Sequence, residues 1–275
     1  MMRQKIGFIG GGNMGEALIA SLLRQKIFQP SQIGLHEPDR ERAKKIKSRF
    51  KLVLFQSNQE LVQNTSIILL AVKPQHMSGV LQEIAPVLRT SHLVLTIAAG
   101  LDTKFFFKKL PPTTRLIRIM PNVCCLIGEG ATALFAAPTA KASDRALASK
   151  IFSSCGKALF VEEEDLMDTV TALSGSGPAF VYLFIDSLIQ AGENLGLDRK
   201  RGGELVLQTL LGATRMVESF SKYGEEIGEM IQKVASKGGT TEAGLEIMAD
   251  RGFTPLIQET IFAAAQRAKK IRELA

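Results

Sequence analysis

The sequence has no tryptophan, two tyrosines, three cysteines and three histidines. Each shortage closes a class of function. Cys124, Cys125 and Cys155, with His36, His76 and His92, nowhere fall at paired ligand spacing, so neither a structural zinc site nor a disulfide framework is expected. Sparse cysteine suits a reducing cytoplasm. So few large aromatic rings leave little to stack on nucleic acid, and no nucleic-acid-binding signature is present. Long apolar runs are missing as well. The uncharged stretch Val170–Ile185 carries Ser, Gly and Pro and falls short of the ~20 residues a membrane-spanning helix needs. Met1-Met2-Arg3-Gln4-Lys5 runs straight into a strand pattern without the apolar core of a signal peptide. The expectation is a cytoplasmic protein with no membrane and no nucleic-acid partner.

What remains is an ordinary globular composition: 275 residues, 45% hydrophobic and 22% charged, room for one large domain or two modest ones. The net charge of +7 is unevenly spread. Residues 1–160 carry 22 Lys and Arg against 9 Asp and Glu, whereas residues 161–275 carry 12 against 18. The basic run Arg40, Arg42, Lys44, Lys45, Lys47 and Arg49 lies on one predicted helix. It is either a solvated face or a positive field for an anionic cofactor.

The halves also differ in pattern. Apolar, β-branched runs (Lys5–Gly10, Ile33–His36, Ile67–Val72, Leu93–Ile97, Leu116–Met120) alternate with helical stretches. This predicts a parallel sheet with crossovers, an α/β doubly wound domain. Ala131–Ala136, a helix from Ser143 to about Ser154, and Leu159–Val161 complete it. After Glu162 only helices are predicted: Pro178–Leu195, Gly203–Phe220, Glu225–Val234, Thr241–Ala249 and Pro255–Leu274, with Thr254 a candidate N-cap. The domains are therefore 1–162, an α/β doubly wound domain, and 163–275, an all-α domain. The helix from Pro178 is apolar on more than one face, which calls for a second subunit.

Gly10-Gly11-Gly12-Asn13-Met14-Gly15 is a G-x-G-x-x-G between a strand and a helix. Gly10 permits the tight turn, Gly12 lets backbone approach a pyrophosphate, and Gly15 allows close helix–strand packing. At the end of the second strand, Glu37 would bond a ribose 2′-hydroxyl and favour NAD, while Arg40 or Arg42 would hold a 2′-phosphate and favour NADP. Both stay open. Ala71-Val72-Lys73-Pro74 ends another strand, where Lys73 either touches the cofactor or is a solvated loop lysine. Ala98-Ala99-Gly100 either leaves room for a flat ring or is merely a turn. Ser174-Gly175-Ser176-Gly177-Pro178 and Gly238-Gly239-Thr240-Thr241 each precede a predicted helix; they are either anion sites or simple caps. No strong acid, base or nucleophile stands near these loops. Hydride transfer to an already activated acceptor, such as a protonated imine, fits that lack.

These segments resemble pyrroline-5-carboxylate reductases. The resemblance rests on Thr171–Phe180, Gln208-Thr209, Gly212-Ala213, Gly10–Gly15, Ala71–Pro74, Met120-Pro121-Asn122 and Gly238–Glu242, collinear from end to end. It implies NADPH- or NADH-dependent reduction of 1-pyrroline-5-carboxylate to L-proline by a homodimer, with dimers that often assemble into larger rings. It also implies a Rossmann domain followed by a helical dimerisation domain that meets the Rossmann domain of the other subunit at the substrate site. By resemblance, Gly10, Gly12, Asn13, Met14 and Gly15 cradle the cofactor, Asn58, Ala71, Val72, Lys73 and Pro74 line its ribose and phosphate path, and Ala98 and Ala99 flank the nicotinamide. Ser236, Gly238, Gly239, Thr240 and Thr241 hold the substrate carboxylate, with the Thr241 hydroxyl near the ring nitrogen as the catalytic group, either a hydrogen-bond partner or a proton relay.

Two positions depart from the family pattern. Val123-Cys124-Cys125 replaces the usual Thr-Pro after Met-Pro-Asn, and Lys237 replaces a proline. The rival enzyme reading, a hydroxyacid dehydrogenase, needs a lysine in the helix after Ser174–Pro178, and Pro178–Leu188 has none. The altered Val123–Cys125 loop leaves one non-enzymatic alternative, a dinucleotide-binding sensor or scaffold with impaired catalysis.

Overall fold

A computed structural model describes residues 5–220 and 226–274. Its sheet has eight strands, β1 (Ile6–Ile9), β2 (Ile33–His36), β3 (Val53–Leu54), β4 (Ile67–Leu70), β5 (Leu93–Thr96), β6 (Arg115–Met120), β7 (Gly130–Ala136) and β8 (Gly156–Phe160). They lie in the order β3-β2-β1-β4-β5-β6-β7-β8. The first six are parallel; β7 turns antiparallel to β6, and β8 runs parallel to β7. β1, β4 and β5 are buried at every residue, the result of helices covering both faces, and this is why they read as unbroken apolar runs rather than alternation.

One face packs Ile6, Phe8 and Leu95 against Leu18 and Leu22 of α1 (Asn13–Arg24), Ile46 of α2 (Arg40–Phe50) and Phe152 of α6 (Ala142–Phe152). The other packs Ile68, Leu70 and Val94 against Leu61 of α3 (Asn58–Asn64), Met77 and Leu81 of α4 (Pro74–Ile84) and Phe106 of α5 (Thr103–Phe107). The strand order reverses between β1 and β4, so their carboxyl ends open the crevice where such sheets bind ligands. The α/β doubly wound expectation is met. β3 escaped prediction because it is two residues long, at the sheet edge, with Val53 exposed. β8 begins earlier than expected, at Gly156.

After β8 come α7 (Leu166–Val170), α8 (Gly177–Asn194), α9 (Arg199–Phe220), α10 (Ile227–Val234), α11 (Thr240–Asp250) and α12 (Phe253–Glu273). The expected start of one helix at Glu225 lies outside the described residues, as do Met1–Gln4. Gly252, not Thr254, starts α12: its carbonyl accepts the first helical bond, from Leu256. By contacts the chain divides into residues 1–178 with 262–275, and residues 179–261. In the second unit α8, α10 and α11 bury no residue and α9 buries only Gly202. Val181, Tyr182, Leu183, Leu205 and Leu207 are more than half exposed. Such uncovered apolar helices are an interface rather than a finished core.

The loop expected before α8 is instead helical. Thr171–Gly175 makes a π-turn joining α7 to α8, with the Ser176 N–H donating to the Thr171 carbonyl at 2.8 Å. Pro178 has no N–H to give Ser174, and the wider turn absorbs that missing bond. The helical run Leu166–Asn194 therefore reaches 29 residues. The length argument against a membrane span fails, since by length and composition alone this run passes for one.

Candidate active site

The glycine-rich loop has the conformation its sequence demands. Gly10 adopts φ +97°, where a Cβ would strike the Ala71 carbonyl, and a Cβ on Gly15 would lie 2.9 Å from the Gly10 carbonyl. Gly12 is the N-cap of α1, has no side-chain cap bond, and would meet nothing within 4 Å of an added Cβ. The first-turn N–H groups have no partner within the helix, and the open space at Gly12 leaves room for a pyrophosphate to approach the backbone there. Ala71, Val72 and Pro74 are half-buried at the end of β4, and the Ala71 N–H bonds Ile9 in β1. Lys73 is exposed as the N-cap of α4. Ala98 is buried and Ala99 exposed, ahead of Gly100 at φ +73° against Ile271.

Glu37 is half-buried beside the loop. Its Oε2 accepts from the Gly11 N–H at 2.7 Å and its Oε1 from the Asp39 N–H at 3.1 Å. Asn13 is exposed, its Oδ1 taken by Arg42 at 3.2 Å; Met14 packs on the core. Asn58 is 6% exposed and donates through Nδ2 to Glu83 at 2.7 Å, while its Oδ1 is buried without a partner. An orphaned buried acceptor costs about 1–3 kcal/mol and calls for a donor. A ribose hydroxyl is one. These residues fit a bound dinucleotide.

The segment Met120-Pro121-Asn122 is fastened to the π-turn. Asn122 Nδ2 donates to Ser174 Oγ at 3.5 Å, and Ser174 Oγ donates to the Ala131 carbonyl at 3.2 Å. Asn122 Oδ1 accepts from the N–H groups of Cys124 and Ala131. The substituted loop is thereby held as a capped 3-10 turn, Val123–Ile127, ending at Gly128 with φ +87°. Ser174 is committed to this fastening, so the Ser174–Pro178 segment offers no free helix start to an anion. Cys125 and Cys155, both buried, lie 3.5 Å apart as free thiols. Donation to Cys125 and burial both push the Cys155 thiol well up, so it stays protonated. Sequence reasoning missed this pairing, and also Arg118, 3% exposed and paired with Glu164 at 3.2 Å. No local pattern marks either.

In the second unit, Gly239 is the N-cap of α11 without a side-chain cap bond, and Gly238 takes φ +73°. Two of the expected carboxylate donors are engaged: the Gly238 N–H by Glu242 Oε2 at 2.6 Å, the Gly239 N–H by the Ser236 carbonyl at 2.9 Å. The N–H groups of Thr240, Thr241 and Glu242 remain as first-turn donors. Thr241 is half-buried; Ser236, Lys237 and Thr240 are exposed. Among the described residues no group of His, Cys, Asp and Glu could hold a metal.

A doubly wound sheet with an open glycine-rich loop, a ribose-side acid and an appended helical domain defines a dinucleotide-dependent oxidoreductase. Residues 164–271 match the model for pyrroline-5-carboxylate reductase dimerisation, and residues 5–100 match that for NADP oxidoreductase, coenzyme F420-dependent. The chain is 37% identical to the pyrroline-5-carboxylate reductase of Pseudomonas aeruginosa over 99% of its own length and 98% of the relative's. It is 34% identical to that of Methanosarcina acetivorans, over 98% and 99%. The solved pyrroline-5-carboxylate reductase of Coxiella burnetii superposes with a TM-score of 0.91 at 32% identity, covering 98% of both chains. That of Plasmodium falciparum, with NADP bound, superposes with a TM-score of 0.87 at 33% identity and 99% coverage of each. The chain belongs to the pyrroline-5-carboxylate reductase family.

Proposed function

We propose that this protein reduces 1-pyrroline-5-carboxylate to L-proline, the last step of proline biosynthesis, using NADPH or NADH. The observation that carries the reading is identity of 37% to a curated reductase along 99% of the chain, with the Gly10–Gly15 loop and the Gly238–Thr241 helix start both intact. The domain division is 1–162 for the cofactor and 163–275 for substrate binding and dimerisation. Gly10, Gly12, Asn13, Met14 and Gly15 receive the pyrophosphate, Glu37 and Asn58 the ribose, and Ala71, Val72, Lys73, Pro74, Ala98 and Ala99 the path to the nicotinamide. The bound reduced nicotinamide supplies the hydride.

The protein's part is orientation and a dry pocket. The first-turn N–H groups of α11, with Ser236, Gly238, Gly239 and Thr240, hold the substrate carboxylate in a helix-terminal field that favours negative charge by about 0.3–2 kcal/mol. For Gly238 and Gly239 to join them, the Glu242 carboxylate and the Ser236 carbonyl must leave their N–H groups. The Thr241 hydroxyl bonds the ring nitrogen. A threonine hydroxyl is too weak an acid to supply a proton at neutral pH, so the imine arrives protonated and Thr241 orients it while the C=N electron pair moves onto nitrogen. Thr241→Ala should lower kcat by about 10- to 100-fold with cofactor Kd unchanged; an unaltered kcat would remove Thr241 from the mechanism.

The second unit works as part of a homodimer, which in larger assemblies forms a ring of dimers, in the cytoplasm and without membrane or nucleic acid. The exposed apolar helices support self-association, and the dimerisation-domain match at residues 164–271 supplies a use for the long α7–α8 run other than a membrane. The test is loss of reduced-nicotinamide absorbance when purified protein meets pyrroline-5-carboxylate. Oxidation only with substrate present supports the reading. Its absence in folded, dinucleotide-binding protein would favour the sensor or scaffold instead.

A further inference from the structure

We infer that the ribose pocket of this chain is built for two free hydroxyls, so that NADH binds more tightly than NADPH. The inference rests on the dinucleotide reading above and concerns which of the two cofactors the pocket prefers. Three groups around the end of β2 carry it, and all three present acceptors. Glu37 holds both its oxygens on backbone N–H groups, Gly11 at 2.7 Å and Asp39 at 3.1 Å, which fixes a carboxylate beside the glycine-rich loop. Asp39 then caps α2, its Oδ1 accepting from the N–H groups of Glu41 and Arg42 at 3.0 and 3.1 Å. The helix start that would offer N–H groups to a phosphate is already closed by an anion.

The third group is Asn58, which begins α3 just after β3, the neighbour of β2. Its amide could present either end to a ligand. Glu83, a carboxylate, can only accept, so the Nδ2–Glu83 bond of 2.7 Å turns Nδ2 away and leaves Oδ1 as the buried, unpartnered atom. A ribose hydroxyl can donate to Oδ1 and to Glu37. A 2′-phosphate carries only acceptors near neutral pH and would meet a carboxylate as well. The opposing charges are Arg40 and Arg42. Arg42 is engaged with Asn13 at 3.2 Å and both are exposed, where solvent and salt weaken their pull. Glu83, which sets the direction of Asn58, is a specificity-positioning residue.

Binding is read without turnover, by titrating folded protein with NADH and with NADPH and following nicotinamide fluorescence. The wild type should bind NADH about 10- to 100-fold more tightly. Glu37→Ser should narrow that ratio by about tenfold or invert it. Glu83→Gln gives Asn58 Oδ1 a donor and lets Nδ2 turn to the ribose, so it too should narrow the ratio while Glu37 is unchanged. Should Glu37→Ser not fold, Glu37→Gln keeps an acceptor for Gly11 and carries the same test. Equal affinities, tighter NADPH in the wild type, or a ratio indifferent to Glu37 would overturn the inference. A preference for NADH in protein that never reduces pyrroline-5-carboxylate would sink the functional reading and leave this one standing.

Discussion

His92 shows how a single side chain becomes a pH-dependent contribution. It is 2% exposed, and its Nδ1 accepts from the Arg89 N–H at 2.9 Å. Burial lowers its affinity for a proton, and the charges of Arg89 and Arg115 lower it further. Below the ordinary imidazole value of about 6.5 the unfolded chain takes up a proton that the folded one refuses. Stability therefore falls with falling pH, by at most about 1.4 kcal/mol per pH unit for this one group. His92→Asn keeps an acceptor for Arg89 and cannot titrate. Denaturant midpoints measured between pH 7 and pH 5 should drop less in the variant than in the wild type; parallel curves would clear His92. At this same scale the sequence was most legible where backbone conformation itself demanded a residue type. Gly10 and Gly15 could be assigned roles because no side chain fits there. Asn58 was placed on the ribose path by resemblance alone, and which end of its amide is left free was not legible, because that comes from Glu83, a side chain distant in sequence.

At the scale of elements, the junction of β7 and β8 depends on contact between glycines. Gly156 sits at φ +141°, and a Cβ there would overlap the backbone of Gly130, including its carbonyl. Gly156→Ala must therefore push the strands apart and strain the backbone at once. A loss of several kcal/mol is expected, at the upper end of single-residue effects, roughly 4 kcal/mol or more. Thermal or urea unfolding would check it, and a melting point within a degree or two of wild type would refute the packing argument. The π-turn at Thr171–Gly175 is the element that sequence reading placed wrongly. Ser, Gly and Pro in succession signal a loop by local propensity. Here the Ser174 hydroxyl bonded to β7 and the surrounding helix hold the segment in a wide helical turn.

For the whole molecule, the apolar surface left on residues 179–261 has to be covered. Leu183 is 69% exposed and Val181 51%. In solution the chain should sediment at no less than twice its 29.9 kDa. Leu183→Glu together with Val181→Glu should shift the population toward monomer and reduce activity with it, which light scattering and the absorbance assay would report together. A wild-type monomer would contradict the dimerisation assignment. The charge network around Arg272 also belongs to this scale. Arg272 pairs with Asp168 at 2.9 Å and Asp165 at 3.1 Å, returning the end of α12 to the unit that holds the sheet.

The sequence by itself determined the doubly wound sheet, the dinucleotide loop and the all-helical second half. Those features rest on periodicity and on glycines with a conformational duty, and both are local properties of the chain. Tertiary structure alone decided that Ser174 fastens Asn122 and β7, that Cys125 meets Cys155, that Glu242 occupies the Gly238 N–H, and that Glu83 turns Asn58 toward an acceptor role. Most of these pairings join residues far apart in the chain. A hydrogen bond's partner is set by where folding brings donors and acceptors together, and side-chain identity supplies only the capacity to bond.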